Sequence, residues 1–159
     1  MRAPVFAANW KMNHAPSAAR SFVAAFTARW SPRDDRTVIL CPPAIALGTV
    51  VQALANRRDI AVGAQNIWTE DKGAFTGETS APMVKDCGGR YVLVGHSERR
   101  HVFGETDDET AKKCARDCQS TRPGGSRSRK ASCTTSEVHS VWPSRSRRRR
   151  PRAMRWSSS

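Results

Sequence analysis

No apolar run in the sequence approaches the roughly 18 consecutive residues of a membrane-spanning helix. Nor do residues 1–16 hold the run of about seven or more that a secretory leader needs, because Asn9 and Lys11 interrupt the stretch that starts at Pro4. Both absences read as a cytoplasmic chain with no membrane partner. Cysteine is sparse. Cys41, Cys87, Cys114, Cys118 and Cys133 are an odd number scattered without a framework, so free thiols are expected in a reducing compartment. Cys114, Cys118, Cys133 and His139 fall at no familiar zinc spacing, and no metal site is assigned. Tyrosine occurs once, at Tyr91. Acid is nearly missing from the end of the chain: beyond residue 118 the only carboxylate side chain is Glu137, against 11 Lys and Arg. Residues 1–118 carry 16 basic and 13 acidic side chains, so ten of the 13 net positive charges lie in the last 41 residues.

The front of the chain is patterned. "PVFAANW" is a short apolar run ending in polar residues, and "SAARSFVAAFTARW" follows with Phe22, Val23, Phe26 and Trp30 at helical spacing. "RTVILCPP" is a second β-branched run, stopped by Pro42 and Pro43, after which Leu47, Val50, Val51 and Leu54 recur at i, i+3, i+4 and i+7. "DIAVGAQN" predicts a third strand, then a polar loop and a short helix with Met83, Val84 and Cys87 that ends at Gly88 and Gly89. "RYVLVGH" predicts a fourth, and Thr106 with Glu109 makes a capping box that opens a helix through about Arg116. Strands apolar on both faces and alternating with helices indicate an α/β fold, a parallel sheet covered by helices. In such units chemistry gathers where strands end and helices begin. Asn9 and Lys11 after the first strand, and His96 and Glu98 after the fourth, should therefore share one end of the sheet.

From residue 119 the periodicity stops. The last 41 residues hold 11 serines and 11 basic residues, a composition expected to stay disordered. Two domains are thus expected, a folded 1–118 and a basic tail 119–159. The run Arg147 to Arg150 fits a solvated tail better than a nucleic-acid site, and Trp142 with Trp156 is too little for a base-stacking platform.

Three segments, "FAANWKMN", "GAFTGETS" and "VGHSERR", in this order and spacing, resemble the triosephosphate isomerase family. The resemblance covers about residues 4–116. It implies a (β/α)₈ barrel that interconverts dihydroxyacetone phosphate and glyceraldehyde 3-phosphate by proton transfer through an enediol, with no cofactor. By the same resemblance Asn9 and Lys11 are substrate-binding residues and His96 is the electrophile. Glu98 is the carboxylate beside the lysine, Ser97 is a supporting residue next to it, and Thr76 is the threonine presented to a partner subunit. A homodimer built on the loop Gly73 to Ser80 is implied with them. Bland readings stand beside these: "SERR" as a solvated charged turn, "GAFTGETS" as an ordinary surface loop.

Such a barrel takes about 250 residues, and only four βα units are present, so a partial TIM barrel is expected. The family's general base lies in a segment like Tyr-Glu-Pro-x-Trp; with Tyr91 the only tyrosine, no general base is assigned. The expectation is a truncated family member, weakly active or inactive alone. Two alternatives remain: a non-catalytic half-barrel that self-associates, and a nucleic-acid-binding module using the tail. The abrupt switch to Arg, Ser and Pro reads as a change of reading frame in GC-rich DNA or as an evolved tail. Unpaired strand edges, and a sheet face carrying Val5, Ile39, Val62 and Val92 or their alternate neighbours, argue against a stable monomer.

Overall fold

The computed structural model describes residues 4–120, with side chains through residue 116. Of the tail expected from residue 119 onward, Gln119 and Ser120 are helical, and residues 121–159, with Cys133, Glu137, His139 and the arginine run, lie outside the described residues. Four strands, β1 (Val5–Asn9), β2 (Thr37–Cys41), β3 (Ile60–Ala64) and β4 (Tyr91–Val92), form one parallel sheet in the order β1-β2-β3-β4. Helices α1 (Pro16–Thr27), α2 (Leu47–Ala53), α3 (Ala81–Asp86), α4 (Ser97–His101) and α5 (Asp107–Ser120) follow in turn, with a 3-10 turn at Ala44–Ala46 ahead of α2. The result is a curled half-barrel, the partial TIM barrel that the alternation of strand and helix signals predicts.

Register decides which side of each strand meets the helices. Val38 pairs with Ile60 and Leu40 with Val62, and these four, with Ala64, pack against Ala19 and Val23 of α1 and Val50 of α2. Ile39 pairs with Ala61 on the other face, where a smaller cluster of Ile39, Cys41 and Ala61 is joined by Ala7 and Leu93. Val62 and Val92 therefore belong to the helix side, and Ile39 to the opposite face. Burial on that opposite face pushes the Cys41 thiol up to about 12. At the sheet edge Val5 is 60% and Phe6 48% exposed, as expected of a strand with one neighbour.

Local chemistry explains the helix limits. Phe22 and Phe26 stack on one side of α1, and Trp30, three residues past its end, continues the stack, with ring centroids 6.0 and 5.7 Å apart. Pro16 opens that helix without a missing hydrogen bond, since the first N–H groups of a helix have no internal partner. Ser80 caps α3, its hydroxyl accepting from Met83 N–H at 3.4 Å. The Thr106–Glu109 capping box forms in both directions: Thr106 N–H donates to Glu109 Oε2 at 2.9 Å, and Glu109 N–H to Thr106 Oγ1 at 3.2 Å. Its helix runs to Ser120, four residues past the expected Arg116. The charged segment "SERRH" is helical, as α4, where a solvated turn was one reading. No helix among the described residues is long and apolar enough to cross a membrane.

Candidate active site

β1 ends at Asn9, and the next residue, Trp10, is buried, so the chain turns around a fixed indole. Trp10 N–H donates to the Cys41 carbonyl at 3.0 Å, which ties the turn to the end of β2. Lys11 then adopts φ +53°, a left-handed conformation that costs a side-chain-bearing residue about 1–2 kcal/mol. Its backbone is gripped on both sides. Lys11 N–H donates to Asn9 Oδ1 at 2.9 Å, and Gln65 Nε2, just beyond β3, donates to the Lys11 carbonyl at 2.9 Å.

The Lys11 side chain reaches α4, where Nζ donates to Glu98 Oε1 at 2.7 Å. Both groups are about half exposed, at 48% and 45%, so water screens the pair and it adds little to stability. Its consequence is electrostatic: the hydrogen bond and charge of the Lys11 ammonium outweigh the opposing effect of burial and hold the Glu98 carboxyl below the usual range. It also keeps a cation at the C-terminal end of the sheet.

β4 leads into α4 through Gly95, at φ +66°, where a Cβ would sit 2.8 Å from Thr110 Cγ2. Only glycine fits this turn without strain. His96 follows as the N-cap of α4, and its Nδ1 accepts from Glu98 N–H at 3.3 Å. A nitrogen that accepts carries no proton, so this geometry assigns the ring proton to Nε2, leaving a neutral donor. Glu98 Oε2 lies 3.6 Å from the same Nδ1, beyond hydrogen-bond reach.

Asn9, Lys11, His96 and Glu98 are thus linked in one chain of contacts at the strand C-terminal ends. Ser97 is the exposed first residue of α4. Thr76 is in the exposed loop before α3, where Glu78 N–H closes a turn onto the Phe75 carbonyl at 3.0 Å. The loop leans on Trp68, whose ring centroid is 5.2 Å from that of Phe75. Among the described residues no cluster of His, Cys, Asp or Glu is placed to hold a metal ion.

Two supports escape sequence reasoning. One is Gln65. The other is Glu105, whose side chain is 2% exposed. Its Oε1 accepts from Gly95 N–H at 3.2 Å and Thr110 Oγ1 at 3.3 Å, and its Oε2 from Arg99 Nε at 3.1 Å and Lys113 Nζ at 2.8 Å. Lys113, equally buried, also donates to Asn66 Oδ1 at 2.9 Å. Burial opposes the charge on Glu105, yet the hydrogen bonds from Lys113 and Arg99 outweigh it, and the carboxyl is held below its usual range. Two of its four donors flank His96, so this buried carboxylate fixes the start of α4.

Residues 4–121 match the model of the family described as triosephosphate isomerase. Curated relatives named triosephosphate isomerase agree with it. The protein of Moorella thermoacetica is 48% identical over 118 residues, which is 71% of this chain and 45% of the relative. That of Symbiobacterium thermophilum is 46% identical over 68% of this chain and 42% of its own length, and that of Chloroflexus aurantiacus 47% over 67% and 42%. The chain spans less than half the length of these relatives. A parallel half-barrel with Lys11 and His96 at its strand C-terminal ends, and a family match over three quarters of the sequence, place this chain in the triosephosphate isomerase family.

Proposed function

We propose that residues 1–118 form the electrophilic half of a triose phosphate isomerisation site, and that residues 119–159 form a separate basic tail. Abstracting a proton next to a carbonyl places negative charge on the substrate oxygens. A cation and a hydrogen-bond donor aimed at that charge stabilise the transition state more than the ground state. Lys11 Nζ is the cation and His96 Nε2–H the donor. Asn9 fixes the Lys11 backbone and borders the substrate, while Glu98 holds the ammonium in place. The observation that carries this reading is the contact chain from Lys11 through Glu98 to His96, built from two βα units 87 residues apart.

A proton must also be removed, and the base is missing from this half. No segment of the sequence reads Tyr-Glu-Pro-x-Trp, so the chain alone is weakly active or inactive. Binding does not need the base. Titrating the labelled chain with millimolar dihydroxyacetone phosphate should shift the amide signals of Asn9, Lys11 and His96. Those shifts should vanish in Lys11→Ala, and equal shifts in that variant would overturn the assignment.

The loop Gly73 to Ser80 is the proposed dimer contact, with Thr76 at the partner's site. One large apolar side chain of that loop, Phe75, is 39% exposed and supports it. Sedimentation at micromolar concentration should show a dimer that Thr76→Arg converts to monomer. A dimer unaffected by that substitution is paired through its β1 or β4 edge instead.

A further inference from the structure

We propose that Gln65 is a positioning residue for Lys11, its side-chain amide holding the Lys11 peptide in the left-handed conformation that aims the ammonium at Glu98. The inference rests on the isomerase reading of this site and deepens it.

The starting observation is the backbone outlier. A residue other than glycine persists at φ +53° only where its surroundings over-determine it, and such positions concentrate at functional sites. Asn9 Oδ1 takes the Lys11 N–H, and Gln65 Nε2 takes the Lys11 carbonyl. The same Gln65 nitrogen donates to the Cys41 carbonyl at 2.9 Å. A primary amide has two hydrogens, and both are used here. The Cys41 carbonyl in turn accepts from Trp10 N–H at 3.0 Å. One nitrogen beyond β3 therefore joins the turn after β1 to the last residue of β2.

Beyond Lys11 the turn is secured independently. Asn13 Nδ2 donates to the Trp10 carbonyl at 2.8 Å, and His14, also left-handed at φ +65°, sets its ring 5.1 Å from that of Trp10. Neither contact touches the Lys11 carbonyl. Without the Gln65 amide that carbonyl faces water, and the Lys11 peptide is free to relax toward negative φ. Such a rotation redirects the Cα–Cβ bond and draws Nζ away from Glu98. The role requires two neutral donors on one nitrogen, which no aliphatic side chain of similar length provides.

The test reads Glu98, because the Lys11 hydrogen bond is the chief reason its carboxyl titrates low. Carbon-detected NMR of the full chain follows the Glu98 carboxyl through acid pH in wild type, Lys11→Ala and Gln65→Met. The midpoint should rise in Lys11→Ala, and Gln65→Met should reproduce most of that rise while the amide signals of Thr106 and Glu109 stay in place. A folded Gln65→Met that titrates like wild type overturns the proposal. Should Gln65→Met fail to fold, the Lys11→Gly/Gln65→Met pair decides, since glycine takes the left-handed conformation unaided. A folded pair supports the proposal, and an unfolded one overturns it. Failure of the isomerase reading looks different: the Glu98 midpoints would shift as expected, while dihydroxyacetone phosphate would leave the amide signals of Asn9, Lys11 and His96 unmoved.

Discussion

Glu105→Ala should lower the stability of the folded chain by about 3–5 kcal/mol, the cost of leaving one member of a buried ion pair without its partner. Lys113 is the member left behind. Its ammonium is 2% exposed and would keep only the Asn66 amide oxygen. Gly95 N–H, the Thr110 hydroxyl and Arg99 Nε would lose acceptors in the same step. Set against a total of about 5–15 kcal/mol for an ordinary domain, that loss takes the chain near its unfolding threshold. Urea unfolding at pH 7 measures it, and a change below about 1 kcal/mol would mean that the network is not a structural hub.

The same carboxylate gives a pH signature whose sign follows from its depressed value. Glu105 binds a proton less readily folded than unfolded, so its contribution is fully present above its ordinary value of about 4.5 and is lost as pH falls through the lower folded value. Wild type should therefore weaken from about pH 5 downward. Glu105→Gln, less stable at pH 7, should fall less steeply over that window. Equal acid slopes in the two proteins would remove Glu105 from the account.

Why Glu105 and Lys113 were not legible is a matter of what sequence patterns record. A lysine eight positions after a glutamate, within a polar helix, reads as a solvated face, because exposed charge is the common case. Its burial is decided by Asn66, which lies 47 residues away. Gln65 is silent for a different reason: its acceptors are backbone carbonyls, which every residue has. Strands were the easiest elements to read. "TVILC" is β2 residue for residue, since β-branched side chains suit a pleated, doubly covered strand. Which side of each strand met the helices was not readable, because both sides are apolar and register alone divides Val62 from Ile39. Asn9, Lys11, His96 and Glu98 were legible as polar residues set directly after strands, and the resemblance supplied their roles. Their contacts depend on the left-handed turn at Lys11, which nothing in "NWKMN" announces.

The measurement closest to the central claim is the rate at which the purified chain interconverts dihydroxyacetone phosphate and glyceraldehyde 3-phosphate, compared with Lys11→Ala and His96→Ala. General acid–base catalysis contributes typically about 10²–10⁴-fold, so the proposed half-site, lacking a base on that proposal, should run at least that far below an isomerase that has one. What remains is electrostatic stabilisation by two groups, and removing one such donor typically costs about 10²–10³-fold. The account predicts a small residual rate that falls to the uncatalysed background in either variant. A residual rate that survives both substitutions, or a wild-type rate matching that of the full-length relatives, would contradict it.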